Sequence, residues 1–399
     1  MTKLKNHFNK GVPIPPDSIL KISKRYEDDP RHQKIDAGVG VFRIVIDSKF
    51  VPEAIQKASK RIDINGWPTG YLSPKGEREW AGDEEFLKET AKILFGSMAD
   101  DLLNSFELAA IGTPGGTGAL AVYAQALKQR SQGEFILLSQ PSWPLHQPIF
   151  EERGVKPLFY NHMKDNIYDF ESHLKAIKNA PENTIVLFHT GKTHNPTGVN
   201  PSDREWRELA KAMGNKKALF DTAYAGFVKN LEEDTKAIRI FMDMGVSIAV
   251  TFSFSKNAGL YEHRVGGLFI PVKKEETLDT QRLINGSLRI FESSPSAFGE
   301  KILSIVLSDP DLKKEWEKEL RNAAEELQKR RELFAQILPE FAFVKNQYGI
   351  FSMLSLNPTQ IETLEKDHGI YMTGDGRINF GGVPTKDIEI LAQAIKKVL

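Results

Sequence analysis

The chain has 399 residues, 40% of them hydrophobic, enough for a large core and too long for one ordinary compact domain. Lys+Arg and Asp+Glu both number 53, and such a formally neutral chain argues against nucleic acid or a membrane surface as the main partner. The absence of cysteine excludes disulfides, thiolate metal sites and a cysteine nucleophile, and it fits a reducing compartment.

Residues 1 to 35 are polar, charged and Pro-containing, and read as an arm with a short helix. The basic start, Met1 to Lys10, runs into Gly11-Val12-Pro13, where a signal peptide would have its apolar core. The longest apolar stretches, such as Val246 to Phe254, are too short to span a bilayer. A soluble, cytoplasmic protein is expected. Further on, Gly115-Gly116-Thr117-Gly118-Ala119-Leu120 is a Gly-rich turn opening into a helix-like run that reaches Leu127.

Four short apolar runs follow: Phe135 to Leu138, Ile185 to Phe188, Ala218 to Phe220 and Ile248 to Val250. Such runs suit strands buried on both faces of a parallel sheet. Amphipathic stretches such as Asp203 to Met213 lie between some of them, the pattern of a layered α/β domain. A long helix is predicted next, with Asp309 as N-cap and Pro310 in its first turn. Its apolar face is Leu312, Trp316, Leu320, Ala323, Leu327, Phe334 and Leu338. Residues from about 339 to 399 alternate short strands and helices and suit a smaller α+β domain.

Four motifs bear chemistry, and each has a plain structural reading beside it. The glycine turn at 115–118 is an anion seat, because helix N-termini present free N–H groups, or it is simply a tight turn. Lys256, in Ser253-Phe254-Ser255-Lys256-Asn257, leaves an apolar strand. A buried lysine has a depressed pKa and forms Schiff bases, whereas a strand-end lysine can equally reach solvent. Asp221 directly follows the run Ala218 to Phe220, with Tyr224 three residues on. A carboxylate there can hold a protonated pyridine nitrogen, or cap a turn. His194-Asn195-Pro196-Thr197-Gly198 is a turn sequence that leaves Asn195 free to face a ligand.

Several other signals are discounted. Gly38-x-Gly40 lacks the third glycine of a dinucleotide fingerprint, and Gly191-Lys192-Thr193 lacks the upstream glycine of a Walker loop. Ser253-x-x-Lys256 has no accompanying S-D-N or K-T-G. His189 and His194 fit no metal motif, and no metal is expected.

Taken together and in order, the residues resemble the aspartate/aromatic aminotransferase subgroup of fold-type-I pyridoxal-phosphate enzymes. The matching segments are Lys34 to Val41, Tyr71-Leu72, Thr113 to Leu120, Pro141-Ser142-Trp143-Pro144, His194 to Gly198 and Asp221 to Tyr224. They continue with Ser253 to Asn257, Gly259-Leu260-Tyr261, Arg264-Val265-Gly266 and Asp375-Gly376-Arg377. The resemblance implies an α/β fold. A large, mainly parallel seven-stranded sheet domain is flanked by helices, and a smaller α+β domain is built from both chain ends. The expected division is 1–48 for the arm and part of the small domain, 49–325 for the large cofactor domain and 326–399 for the rest of the small domain.

The same resemblance implies pyridoxal 5'-phosphate as cofactor. Lys256 would hold it covalently and move protons, Asp221 would pair with its pyridinium nitrogen, and Tyr224 and Asn195 would bond its phenolic oxygen. Trp143 would stack on the ring, with His146 and His189 behind. Gly116, Thr117, Ser253, Ser255 and Arg264 would hold the phosphate, with Tyr71 reaching in from a second subunit of a homodimer. Arg377 would clamp the substrate α-carboxylate near Gly40, and Arg289 of the neighbour would meet a side-chain carboxylate. The implied reaction is amino transfer from L-aspartate to 2-oxoglutarate in two half-reactions. The alternatives are an aromatic amino-acid aminotransferase, a lyase on the same fold and a non-enzymatic pyridoxal-binding protein. Three departures bear on the substrate pocket: an extra residue in the loop around Lys192, Glu292 where the family carries tyrosine, and Ala258 where it carries an aromatic residue.

Overall fold

The computed structural model describes residues 18–45, 48–63, 70–190 and 193–399. Seven strands form the central sheet: β1 Leu108–Pro114, β2 Phe135–Gln140, β3 Lys156–Asn161, β4 Thr184–His189, β5 Lys217–Thr222, β6 Ile248–Ser253 and β7 Val265–Pro271. Across the sheet they run β1-β7-β6-β5-β4-β2-β3. β7 is antiparallel to both neighbours, and the remaining pairings are parallel. The four apolar runs sit in β2, β4, β5 and β6. β4 and β6 are buried at every position, as strands covered on both faces must be.

Helices cover the sheet. α1 (Gly115–Gln129) leaves β1 directly through the glycine turn. α2 (Asp203–Ala212) starts on a reciprocal capping box between Ser202 and Glu205, and buries Trp206, Leu209 and Ala210. α3 (Lys274–Phe291) and α4 (Ala297–Ser308) precede the long α5, Pro310–Ile337. The Asp309 carboxylate accepts from the N–H groups of Asp311 and Leu312, which starts α5 where the sequence predicts. Its predicted apolar face is buried, and Trp316 donates its indole N–H to the Asn257 carbonyl at 2.9 Å.

One feature of α5 was not visible in its periodicity. Arg330 and Arg331 lie fully buried on the inner side. Arg331 donates to the carbonyls of Gly349 (2.8 Å) and Phe351 (2.7 Å) and lies over the Phe380 ring. Carbonyls stand where a carboxylate would be expected, so burial holds this guanidinium down, to about 9.

The two chain ends meet. Ile35–Asp36 pairs in parallel with Ile370–Tyr371, and Phe351–Met353 pairs antiparallel with Arg377–Asn379. The helix expected in the arm is Ser18–Asp28; the arm before it, and Lys192, lie outside the described residues. Among the described residues no helix is long and apolar enough to cross a membrane, and no group of His, Cys, Asp and Glu is placed to hold a metal ion.

Candidate active site

In a parallel sheet the strand carboxyl ends open onto one crevice, which is where loops can bind a ligand. β4 and β6 end there with His189 and Ser253, Asp221 is the last residue but one of β5, and Lys256 follows Ser253 by three residues. One cavity is lined by Lys256, Asp221, Tyr224, Asn195, Trp143 and Arg264, and on its other side by Gly116, Thr117 and Ser253. These nine were singled out from sequence. His189, also singled out, lines it too, as do Leu120, Thr193 and Ala223, to which the sequence reading gave no role.

The glycine turn builds one wall. Gly115 takes φ +71°, and a Cβ there would come within 2.7 Å of Arg264 Nη2, so only glycine lets the guanidinium approach the turn. Pro114 contributes no side-chain cap, which leaves the first N–H groups of α1 free for an anion. Arg264 itself has φ +53°, a strained value for a side-chain residue and a frequent mark of function. Its guanidinium donates to Ser255 Oγ at 3.0 Å and to the Tyr261 carbonyl at 3.1 Å. Ser255 therefore braces Arg264 and is not itself in the lining. Ser253 Oγ accepts from the Ser255 N–H, which leaves its hydroxyl hydrogen to donate. Helix terminus, hydroxyls and guanidinium together fit a phosphate dianion.

Asp221 lies across the cavity. His146 Nε2 is 2.8 Å from Asp221 Oδ2, and His146 Nδ1 is 2.9 Å from Ser142 Oγ. His189 accepts at Nδ1 from the Asn195 N–H (3.3 Å), which leaves its proton on Nε2. His189 is buried, and burial pushes its imidazole well below the usual range, so it is neutral. The Trp143 ring meets His146 edge to face at 5.1 Å.

Lys256 Nζ stands 5.0 Å from the Tyr224 ring. Desolvation brings its ammonium down to about 8; Asp221 opposes that fall and Arg264 adds to it. The Tyr224 hydroxyl is held above its ordinary value by burial, with Arg377 opposing. Arg377 is buried; Nη2 donates to the Gly38 carbonyl at 2.8 Å and Nη1 to Asn195 Oδ1 at 3.4 Å, and the fork lies over Phe351. Its Nε–H has no partner among the described residues, an unmet buried donor that suits an anionic ligand. A Cβ on Gly40 would sit 3.1 Å from Phe351 and 3.6 Å from the Tyr224 hydroxyl, so Gly40 borders the site by leaving space.

Two expected residues lie elsewhere. Tyr71 is 77% exposed, and Arg289, near the end of α3, faces solvent with no hydrogen bond or ion pair among the described residues. Glu292 caps the end of α3, half-buried, with one carboxylate oxygen buried and unpaired; burial raises its carboxyl. It neither pairs with Arg289 nor turns fully to water. Ala258 is buried in the core.

Residues 45–395 match the family Aminotransferase class I and II, and the chain belongs to it. It is an aminotransferase, and pyridoxal phosphate is its cofactor. It is 33% identical to the aspartate aminotransferase of Escherichia coli, over 98% of this chain and all of the relative. It is 32% identical to the aromatic-amino-acid aminotransferase of Pseudomonas aeruginosa, over 98% of this chain and 99% of the relative. The solved aromatic-amino-acid aminotransferase of Burkholderia pseudomallei, covalently bound to pyridoxal phosphate, superimposes with a TM-score of 0.92 at 29% identity, covering 99% and 100% of the two chains.

Proposed function

We infer that the chain transfers the amino group of L-aspartate to 2-oxoglutarate in two half-reactions. It does so as a cytoplasmic homodimer, divided into an arm with part of the small domain (1–48), a large domain (49–325) and the rest of the small domain (326–399). The observation that carries the reading is the Lys256 amine and the Asp221 carboxylate lining one cavity whose far wall is an uncapped helix start. Pyridoxal phosphate, when bound, supplies an aldehyde for amines and a ring that draws in the electron pair left on the donor's α-carbon.

Lys256 would hold the cofactor through Nζ and would carry the α-proton of the donor. Its depressed ammonium suits both tasks, since a neutral amine is the nucleophile and the base. Asp221, oriented by His146, keeps a proton on the pyridine nitrogen. Tyr224 and Asn195 bond the phenolic oxygen, and Trp143 covers the ring. Gly116, Thr117, Ser253 and Arg264 seat the phosphate; Ser255 positions Arg264, and Tyr71 of a second copy completes the seat. Arg377 clamps the α-carboxylate beside Gly40.

Arg289 is read as the partner for a side-chain carboxylate in a second copy's site. Its exposed guanidinium, unpaired among the described residues, and the neighbouring exposed Ile290 and Phe291 support a subunit contact there. Amino transfer from an aromatic donor is the second reading, supported by the likeness to the Pseudomonas aeruginosa and Burkholderia pseudomallei proteins. Measuring kcat/KM for aspartate and phenylalanine decides between them. Aspartate is expected to be preferred, and Arg289→Ala to cost it at least a hundredfold (about 2.7 kcal/mol) while largely sparing phenylalanine. A wild-type preference for phenylalanine would refute the aspartate reading. Mixing inactive Lys256→Ala and Arg289→Ala chains tests the shared site. Recovered activity toward aspartate is expected, and none after verified subunit exchange would count against it.

A further inference from the structure

Six buried residues beside the site form two short chains of hydrogen bonds that both end on Val199. In the first, the Val199 N–H donates to Thr197 Oγ1 at 3.3 Å, and Thr197 Oγ1 lies 2.8 Å from His194 Nδ1. His194 Nε2 lies 2.9 Å from Ser139 Oγ. In the second, the Tyr160 hydroxyl lies 3.2 Å from His162 Nδ1, and His162 Nε2 is 3.0 Å from the Val199 carbonyl. All six residues are at least nine-tenths buried.

The Val199 carbonyl fixes the direction of the second chain. A carbonyl only accepts, so His162 carries its proton on Nε2 and presents a lone pair at Nδ1. Tyr160 must then donate to His162. In the first chain both His194 nitrogens meet hydroxyls, which can donate or accept. Both chains are satisfied with neutral imidazoles. Burial favours that state, holding His162 near about 4 and His194 well below the usual range. The two rings also stack at 3.5 Å with 12° between their planes.

What the two chains hold is the turn that carries Asn195. His194 precedes Asn195, while Thr197 and Val199 follow it. The Asn195 side chain lines the cavity and meets Arg377 Nη1. We propose that His162, which does not line the cavity, is a positioning residue for amino transfer: by donating to the Val199 carbonyl, with its ring oriented by Tyr160, it anchors the turn that places Asn195 at the cofactor. This rests on the reading of Asn195 as a ligand of the cofactor's phenolic oxygen.

The test uses His162→Phe, which keeps ring volume and stacking but has no polar atom. It also uses His162→Gln, whose side-chain amide can still reach the Val199 carbonyl. In the loaded enzyme, His162→Phe should lower kcat/KM for the amino donor about tenfold, as expected for loss of one well-placed hydrogen bond. It should also raise the pH midpoint of the bound cofactor's visible absorbance. A donor withdrawn from the phenolic oxygen leaves more negative charge there to retain a proton. His162→Gln should recover part of both effects. A fall in Tm with an unmoved midpoint and kcat/KM within twofold of wild type would overturn the proposal and leave His162 a packing residue. Should His162→Phe not fold, Tyr160→Phe removes the donor that orients the His162 ring, and the same shift is required of it. Asn195→Ala separates the two readings. If it leaves the midpoint unmoved, the role of Asn195 falls; if it moves the midpoint and neither the His162 nor the Tyr160 variant does, only the role of His162 falls.

Discussion

Lys256 gives the sharpest quantitative test, because its environment predicts when its amine becomes reactive. At pH 7.5 an ordinary lysine is neutral in about 0.1% of molecules, whereas one titrating near about 8 is neutral in about a quarter, a gain of roughly 200-fold. Cofactor-free protein mixed with pyridoxal phosphate should therefore form its borohydride-reducible lysine adduct at a rate that climbs with pH and flattens above about 8. The assay is the initial rate of absorbance change from about pH 6 to about pH 10, with the trapped adduct mapped to Lys256. The neighbours act in opposite senses. Asp221→Asn removes a carboxylate that holds the ammonium up, so the midpoint should fall further; Arg264→Gln removes a repelling cation, so it should rise. A rate still climbing at pH 10, or both variants moving the midpoint the same way, would refute the electrostatic account.

Three further outcomes are expected. Asp221→Ala should retain the cofactor but lose more than about tenfold in kcat, at least about 1.4 kcal/mol of barrier, by steady-state assay. Arg377→Lys should raise KM for aspartate and phenylalanine alike, because the lost fork meets the carboxylate that both share; a change confined to one donor would contradict this. Gly115→Ala should destabilise the chain by about 1–2 kcal/mol for the left-handed backbone alone, read as a lower Tm, and should weaken pyridoxal-phosphate affinity through the clash with Arg264.

What could be read from the chain was whatever is written locally. Apolar runs marked β2, β4, β5 and β6, since a strand buried on both faces needs no partner to declare itself. Asp309 and Pro310 marked the start of α5. Lys256, Asp221 and Asn195 each had a plain reading as a strand-end or turn residue, and their roles were legible only through the resemblance carried by the ordered set of motifs. The antiparallel β7 was not legible, since direction within a sheet depends on the connections between strands. Leu120, Thr193 and Ala223 are ordinary residues that border the cavity by position alone. Arg331 looked like one more charge on a polar helix, and only the carbonyls of a segment about twenty residues away reveal it as buried. The two hydrogen-bond chains that hold the Asn195 turn draw on residues from Ser139 to Val199 that become neighbours through the β4-β2-β3 order. Arg289 and Tyr71 face out of the single chain, so nothing within that chain brings them to the cavity.

The long helix α5 touches both sides of the active site. Near its start, Trp316 holds the carbonyl of Asn257, the residue after Lys256. Some fifteen residues on, Arg331 grips the backbone at Gly349 and Phe351, and the Phe351 ring underlies Arg377. At about 1.5 Å per residue the two grips are about 22 Å apart along one continuous rod. The rod thus serves as a measuring bar: the cofactor wall and the carboxylate wall take their spacing from the same piece of backbone. A glycine or proline placed between Trp316 and Arg331 would detune that spacing while leaving every catalytic side chain intact. Such damage would surface first as poor alignment between bound substrate and Lys256, ahead of any loss of binding at either wall.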